Sequence, residues 1–336
     1  MVHHFLCARS PRFESRIENL PHSHVVKKES YHYMWSKNHK PVLEIDPGDR
    51  VTFQINEVSS SQLTRKSTTS DIAILDESKF YPLAGPVRVL GARKGDALAV
   101  DILKVDTADW GWSSVTPGLG ILEEFNEPFL WIWKLSKTSW VNFKNGLRVR
   151  YRPFCGVMGV APASDVPREV MPPGFHGGNM DIRHLTAGSK LLLPVQVDGG
   201  LFSVGDVHAA QGDGEVCVTA IECPGAATMR IGLVKGANLE APHYFTAPEG
   251  AVGRSYVTTG IAPDLMDGCK QAIRRMISEL TTVAGLSREE AYIFCSVAGD
   301  LRIHEIVDKP NWVVGLKISQ NSFGPAWKKL VDGRTP

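Results

Sequence analysis

The chain has 336 residues and a formal net charge of +1, because 37 Lys and Arg residues are balanced by 36 Asp and Glu residues. This balance gives no electrostatic reason to expect a nucleic acid or an anionic membrane as a partner. Hydrophobic residues make up 43% of the chain, which is ordinary for a globular protein, and no apolar run approaches the roughly 20 residues that cross a bilayer.

The chain is predicted to begin with an extension and to continue as two β-rich parts. Residues 1–28 are irregular in sequence and are interpreted as a short N-terminal extension on the surface. Residues 29–165 form the N-terminal β-rich part, and residues 166–336 contain a candidate metal site followed by an α/β segment. We expect the two parts to be intertwined in one unit.

Alternating apolar and polar residues predict strands in the first part. Pro41–Ile45 and Val51–Ile55 alternate on either side of Asp46-Pro47-Gly48-Asp49, which is typical of a β-hairpin. A second Gly-Asp turn at Gly95-Asp96 also precedes an apolar run, and this repetition favours a sandwich or a barrel. Arg152–Pro162 is apolar and glycine-rich, which predicts a buried turn beneath a site.

The stretch from His176 to Cys223 is the richest in residues that carry chemistry. An apolar run leads into Gly205-Asp206-Val207-His208, so Asp206 and His208 are predicted to lie at the end of a strand. Side chains two positions apart on a strand share a face. A carboxylate and an imidazole that converge form the start of a zinc or similar metal site, and Asp181 upstream offers another oxygen ligand.

The C-terminal region combines helices with strands. Apolar residues recur at spacings of three and four from Asp264 to Val283 and predict one amphipathic helix, the only long one in the chain. Gly285 suits its C-terminal end, and Ser287-Arg288-Glu289-Glu290 is typical of the capping box that opens a second, shorter helix. The strand pattern returns at residues 299–303 and 312–318, so the predicted class is mainly β (α+β).

The six cysteines are scattered along the chain without a CxxC pair. In a chain of this length they indicate free thiols in a reducing compartment rather than a disulfide framework. The N-terminal region also lacks the apolar core of a secretory signal. We therefore expect a cytoplasmic protein.

Several of these motifs resemble the acetamidase/formamidase family. The central ones are His176–Asp181, Gly205–Glu215 and Thr219–Glu222, and they are supported by Asp109–Trp112, Pro153–Pro162 and Gly299-Asp300. The resemblance runs from about Tyr31 to about Ile318, so it covers nearly the whole chain. It implies a jelly-roll-like β-sandwich with additional small β and α/β parts, and a homodimer or a larger homo-oligomer.

The resemblance also implies an activity, the hydrolysis of short aliphatic amides such as formamide and acetamide to a carboxylic acid and ammonia. The family is associated with zinc and sometimes calcium. On the matching positions, Asp181, Asp206 and His208 are expected to hold a divalent metal, with zinc favoured, and to leave one position open for water. Glu222 is the first choice for the group that moves the proton, since a predicted strand from Val216 to Glu222 would bring it near the metal; Asp213 is the second.

Other interpretations stay open at the level of sequence. Asp213-Gly214 is also typical of a simple hairpin turn. The oxygen-rich set Gln211, Asp213 and Glu215 could instead hold calcium as a second ion. Cys155 with a distant histidine could form a nucleophile–base pair. The alternative from another class is a non-catalytic, metal-containing β-sandwich that binds a small ligand.

Overall fold

The computed structural model describes residues 21–336. Of these residues, 37% lie in strands or β-bridges and 17% in helices, so the predicted mainly-β class is confirmed. Most of the predicted N-terminal extension therefore lies outside the described residues. The strands are β1 Ser23–Val26, β2 Tyr31–His32, β3 Leu43–Ile45, β4 Arg50–Ile55, β5 Leu83–Val89, β6 Ala97–Thr107, β7 Trp110–Val115, β8 Phe129–Lys134, β9 Trp140–Asn142, β10 Arg148–Arg150, β11 Phe154–Gly159, β12 Gly177–Asn179, β13 Lys190–Pro194, β14 Phe202–His208, β15 Gly225–Val234, β16 His243–Phe245, β17 Ser255–Ala262, β18 Gly299–Glu305 and β19 Trp312–Ser319. The α-helices are α1 Leu265–Ala284, α2 Arg288–Ala298, α3 Gln320–Phe323 and α4 Ala326–Asp332, and short 3-10 helices cover Thr69–Ile74, Glu77–Lys79 and Gly250–Val252.

Two large sheets face each other across the main hydrophobic core. The first has nine strands in the order β1-β4-β15-β6-β13-β16-β17-β19-β18. The second has the order β12-β11-β14-β5-β2, with β3 also paired to β5. Side chains of both sheets meet between them, as in the edge-on contact of the Phe53 and Phe202 rings, whose centroids are 5.7 Å apart. Complete burial of such a side chain stabilises the fold by about 1.5–3 kcal/mol.

Both sheets combine strands from the two parts of the chain. In the nine-stranded sheet, β6 of the first part lies between β15 and β13 of the second part. In the six-stranded sheet, β14 lies between β11 and β5. The β1 strand pairs in parallel with β4 at the edge of the first sheet, so the residues just before Lys27 belong to the core architecture.

Helices cover the outer face of the nine-stranded sheet near its C-terminal strands. Ala272, Met276 and Leu280 of α1 pack with Tyr256 and Leu316 in a second hydrophobic cluster. The predicted long helix is confirmed: Asp264 caps its N-terminus and Gly285 ends it with φ +70°. The predicted capping box is also confirmed, since Ser287 and Glu290 each accept a hydrogen bond from the other's backbone N–H. No helix in residues 21–336 is long and apolar enough to cross a membrane.

The predicted hairpin around Asp46–Asp49 is wrong. The strand before this turn, β3, pairs in parallel with β5 in one sheet, whereas the strand after it, β4, pairs with β1 and β15 in the other. The Asp49 carboxylate accepts hydrogen bonds from the backbone N–H groups of His22 and Asp46, and this tight turn redirects the chain between the sheets. Periodicity identified the strands correctly, but their partners are distant in sequence.

Candidate metal centre

The candidate site lies where β11 and β14 run side by side in the six-stranded sheet. His208, the last residue of β14, and Asp206 are both almost completely buried, and Asp206 Oδ1 lies 3.2 Å from His208 Nε2. Asp206 has a φ of +57°, so the strand is distorted here. The two side chains converge, as their spacing in the sequence predicted, but they do so on a distorted strand rather than a regular one.

Glu222 reaches the same nitrogen from another segment. Its Oε2 lies 2.9 Å from His208 Nε2, and its Oε1 accepts a hydrogen bond from Ala220 N. The predicted strand from Val216 to Glu222 is wrong, because these residues form turns and a loop. Glu222 is instead positioned by reciprocal backbone hydrogen bonds to Trp112 and by a bridge to His208.

Asp181 and Glu215 approach His208 from its Nδ1 side. Asp181 Oδ1 is 3.6 Å from His208 Nδ1, and the possible ligand atoms of Asp181, His208 and Glu215 lie within 4.8 Å of one another. Gln211 fills the space beside this edge: its Oε1 is 3.0 Å from His208 Nδ1, and its Nε2 donates to the Asp181 carbonyl oxygen. The three predicted ligands are thus brought together: Asp181 approaches Nδ1 of His208, Asp206 approaches Nε2, and both carboxylates border Gly156.

Gly156 on the neighbouring strand leaves the room for this arrangement. A Cβ atom at this position would collide with Asp181 Oδ1, and it would lie 2.9 Å from His208 Cε1 and 3.0 Å from Asp206 Oδ2. The sequence predicted a turn over Arg152–Pro162, which is wrong, because Phe154–Gly159 is the buried strand β11. The predicted location beneath the site is correct.

The polar atoms that face each other here lack hydrogen-bond partners among residues 21–336. They are Asp206 Oδ1, His208 Nε2, Glu222 Oε2 and Asp181 Oδ1. Ligand atoms about 2.0–2.2 Å from a tetrahedral zinc ion would be separated by about 3.3–3.5 Å. The observed separations of 2.9 Å and 3.2 Å from His208 Nε2 are close to this spacing, so Asp206, His208 and Glu222 fit a small divalent cation.

The ionisation of these groups is strongly perturbed. Burial raises the pKa of Asp181 to about 6 and that of Glu222 to about 8. Burial would lower the pKa of His208, but the Glu222 and Asp206 carboxylates outweigh it and hold the pKa well above its ordinary value. A cation among these groups would offset the cost of burying several carboxylates together.

Further acidic groups from the C-terminal region border the site. Burial raises the pKa of Glu305 to about 8, and it raises the pKa values of Glu215 and Asp308 well above their ordinary range. Asp308 accepts a hydrogen bond from the Asn179 side chain at 2.8 Å. Sequence analysis missed Glu305 and Asp308, although His304, Glu305 and Asp308 form a run of polar groups at the end of a predicted strand.

Asp213 lies outside this cluster. Its carboxylate is 2.8 Å from Arg302 Nη1 and 3.4 Å from Arg183 Nε, so both oxygens are occupied by guanidinium groups. It also lies beside the buried imidazoles of His184 and His304. Two arginines at this position make it a poor place for a further cation.

Cys155 is buried next to the site but is unsuited to act as a nucleophile. It is 1% exposed, and burial raises the pKa of its thiol to about 12. A thiol that stays protonated at neutral pH cannot supply the thiolate that nucleophilic catalysis needs.

A cavity of about 740 Å³ opens beside the cluster. Gln211 and Glu215 line it, and both also contact the buried site. The remaining wall comes from the β7–β8 and β9–β10 hairpins and from the loop before Glu222. The cavity therefore adjoins the Nδ1 side of His208 through Gln211 and Glu215.

The sequence and the fold are similar to those of known proteins. A sequence model described as "Acetamidase/Formamidase family" matches residues 19–171 and 167–324. A formamidase of Methylophilus methylotrophus is 27% identical over 90% of this chain and 91% of its own length. An acetamidase of Mycolicibacterium smegmatis is 26% identical over 61% of this chain and 66% of its own. The crystal structure of an acetamidase from Bacillus halodurans is 30% identical, covers 91% of this chain and 99% of its own, and superposes with a TM-score of 0.82.

Proposed function

Because this chain belongs to the acetamidase/formamidase family and is an amidase-type hydrolase of carbon–nitrogen bonds, we propose that it hydrolyses short aliphatic amides such as formamide and acetamide. The products are a carboxylic acid and ammonia. The observation that carries the proposal is the convergence of Asp206, His208 and Glu222 through buried atoms that have no other partner among the described residues.

We propose that a divalent metal, with zinc favoured, is held by Asp206, His208 and Glu222. A catalytic zinc site has three protein ligands of these types and keeps one position open. Glu222, which was predicted to move the proton, becomes the third ligand in place of Asp181, because its oxygen shares the Nε2 edge of His208 with Asp206. Such a metal supplies a Lewis acid that polarises the amide carbonyl and lowers the pKa of water.

The chain's own groups carry the proton in this proposal. Asp181 and Glu215 lie on the Nδ1 edge of His208, and Glu215 also borders the cavity. A carboxylate there accepts a proton from the attacking water and delivers it to the departing nitrogen, which then leaves as ammonia. Asp213 is less suited to this role, because Arg183 and Arg302 engage its oxygens.

Calcium as a second ion remains a prediction. It was predicted for Gln211, Asp213 and Glu215, but Arg183 and Arg302 engage Asp213. The buried side chains of Asn179, Glu305 and Asp308 are other oxygen groups of the kind that calcium takes. A homo-oligomer and a cytoplasmic location also remain predictions from the sequence. Family membership favours catalysis over the alternative of a ligand-binding protein without chemistry, and the high pKa of the Cys155 thiol disfavours the nucleophile–base alternative.

The proposal is tested by ammonia release from formamide and acetamide, together with elemental analysis of the purified protein. The wild-type protein is expected to contain a divalent metal and to release ammonia. Asp206→Asn and His208→Ala are expected to lose the metal and to lower kcat/KM by more than about 100-fold. Changing a residue that only hydrogen-bonds to a metal ligand typically costs about 10–100-fold, and removal of a ligand itself should cost more. A folded Asp206→Asn variant that keeps full activity would contradict the proposal.

A further inference from the structure

The cavity beside the site is much larger than a short amide requires. Its volume of about 740 Å³ falls in the range of about 300–1,000 Å³ that is typical of pockets for drug-sized ligands. Acetamide has only four non-hydrogen atoms. The size of the cavity therefore indicates room for a larger acyl group next to the reacting carbonyl.

Aromatic side chains form one wall of this cavity. Trp131, Trp133 and Phe143 all line it, and the Phe143 ring centroid lies 4.8 Å from that of Trp131 and 5.1 Å from that of Trp133. Trp133 Nε1 donates a hydrogen bond to Ser113 Oγ, which fixes the indole. Rings at these distances form a preorganised surface on which another ring can pack.

The charged groups on the wall are largely neutralised by partners. Arg183 pairs with Asp213 at 3.4 Å, and Arg152 pairs with Glu249 at 3.5 Å. The third arginine, Arg150, is exposed. An anionic substrate would have to compete with the partners of Arg152 and Arg183 and with the water that screens Arg150, so the wall is better suited to a neutral, apolar group.

The cavity and the buried cluster share two residues. Glu215 lines the cavity and belongs to the group around His208, while Gln211 lines the cavity and lies 3.0 Å from His208 Nδ1. A ligand that extends from the cluster therefore enters the aromatic part of the same space. The wall is positioned to contact the acyl side of an amide whose carbonyl lies near His208.

We propose that the aromatic wall selects primary amides with an aryl or arylalkyl acyl group, such as phenylacetamide, over acetamide. This inference rests on the proposed amide hydrolysis and specifies its substrate class. The aryl ring packs against Trp131 and Phe143, and the carboxamide lies toward Glu215 and the metal-binding cluster. The reaction is unchanged: water adds to the carbonyl, the C–N bond breaks, and ammonia leaves with the transferred proton.

The test compares phenylacetamide with acetamide on the purified, metal-containing protein. The wild type is expected to show a kcat/KM for phenylacetamide at least about tenfold above that for acetamide, the scale on which an apolar pocket discriminates. Phe143→Ala is the informative variant, because this side chain is 42% exposed and its removal should spare the fold. We expect it to lower kcat/KM for phenylacetamide by at least about fivefold and to leave acetamide nearly unchanged.

Trp140→Ala is the matched control. Trp140 is equally exposed at 42%, lies on the same hairpin under Arg148, and does not line the cavity. We expect no change with either amide. Equal effects of Phe143→Ala on both amides, or a wild type that prefers acetamide, would overturn the proposal.

Binding separates this inference from the proposed function. Phenylacetone, in which a methyl group replaces the amide nitrogen, cannot be hydrolysed, and its binding can be followed by calorimetry. Binding that weakens in Phe143→Ala supports the aromatic site even if no amide is turned over, a result that would overturn the proposed hydrolysis alone. Turnover of acetamide without binding of phenylacetone would overturn the aromatic site and leave amide hydrolysis standing; side chains of a second copy filling the cavity would give this result.

Discussion

The side-chain amide of Gln211 determines which nitrogen of His208 is free. Its Nε2 donates to the Asp181 carbonyl oxygen at 2.8 Å, and a carbonyl can only accept. Its Oε1 must then accept from His208 Nδ1–H at 3.0 Å. In a neutral imidazole this leaves the lone pair on Nε2, the atom that faces Asp206 and Glu222.

Gln211→Leu should weaken metal binding without removing a ligand. Without the hydrogen bond to Nδ1, the imidazole can rotate and can carry its proton on Nε2 instead. Loss of such a supporting hydrogen bond lowers metal affinity by about 10–100-fold at comparable sites. Competition with a chromophoric chelator measures the affinity. Gln62→Leu is the control, since it removes a similar side-chain contact, to the Asp76 carbonyl, on an exposed loop. Equal affinities for the two variants would argue against the role of Gln211.

Gly156→Ala should disable the site while the strand stays formed. The added methyl group would collide with Asp181 Oδ1 and press on His208 and Asp206, so these side chains must move apart. We expect loss of bound metal and of activity, measured by elemental analysis and ammonia release, with circular dichroism unchanged. Gly212→Ala is the control, because a Cβ there meets nothing within 4 Å. Full metal content in Gly156→Ala would show that the ion binds elsewhere.

Removal of the metal should destabilise the protein. Six buried carboxyl groups surround His208, and without a cation they either repel one another or must take up protons; they are Asp181, Asp206, Glu215, Glu222, Glu305 and Asp308. A metal at 100 times its Kd stabilises the folded state by about 2.7 kcal/mol, which corresponds to roughly 4 °C in Tm for a chain of 336 residues. Calorimetry before and after chelation, and after zinc is added back, measures the shift. Asp206→Asn should show a smaller shift on chelation, and an unchanged Tm in the wild type would contradict a structural contribution of the metal.

Glu279 on α1 should contribute stability that depends on pH. Burial would raise its pKa, but the His243 hydrogen bond and the Arg334 charge outweigh burial and hold the pKa below its ordinary value. The Arg334 guanidinium lies 2.5 Å from Glu279 Oε1, and Tyr256 donates to the same oxygen. A depressed pKa stabilises the folded state above the unfolded-state pKa of about 4.3, and this stability is lost as pH falls through the folded-state pKa.

The matching experiment is urea unfolding of wild type and Glu279→Gln. We expect the variant to be less stable by about 1–3 kcal/mol at pH 7, the range for a hydrogen bond to a buried charge. The difference should be constant above about pH 5 and should narrow below about pH 4. Glu289→Gln provides an exposed control on α2. If the difference in unfolding free energy between the two proteins widened as the pH fell, the pKa of Glu279 would be raised rather than lowered in the folded state.

The sequence by itself determined the features that depend on near neighbours. The helix over Leu265–Ala284 and the capping box at Ser287 follow from spacings of three and four residues, because backbone geometry places such residues on one face. The adjacency of Asp206 and His208 has the same origin, since only one residue separates them in a strand. The mainly-β class follows from alternation repeated along the chain.

Only the tertiary structure decided which distant segments meet. Strands β3 and β4 are consecutive in sequence, yet they belong to different sheets, because burial of the shared core outweighs the local preference for a hairpin. Glu222 reaches His208 through backbone pairing with Trp112, and Asp213 turns away to Arg183 and Arg302. The spacing of residues within a short motif determines only local geometry. Which strands pair depends on the packing of the whole core, so it cannot be read from any short motif.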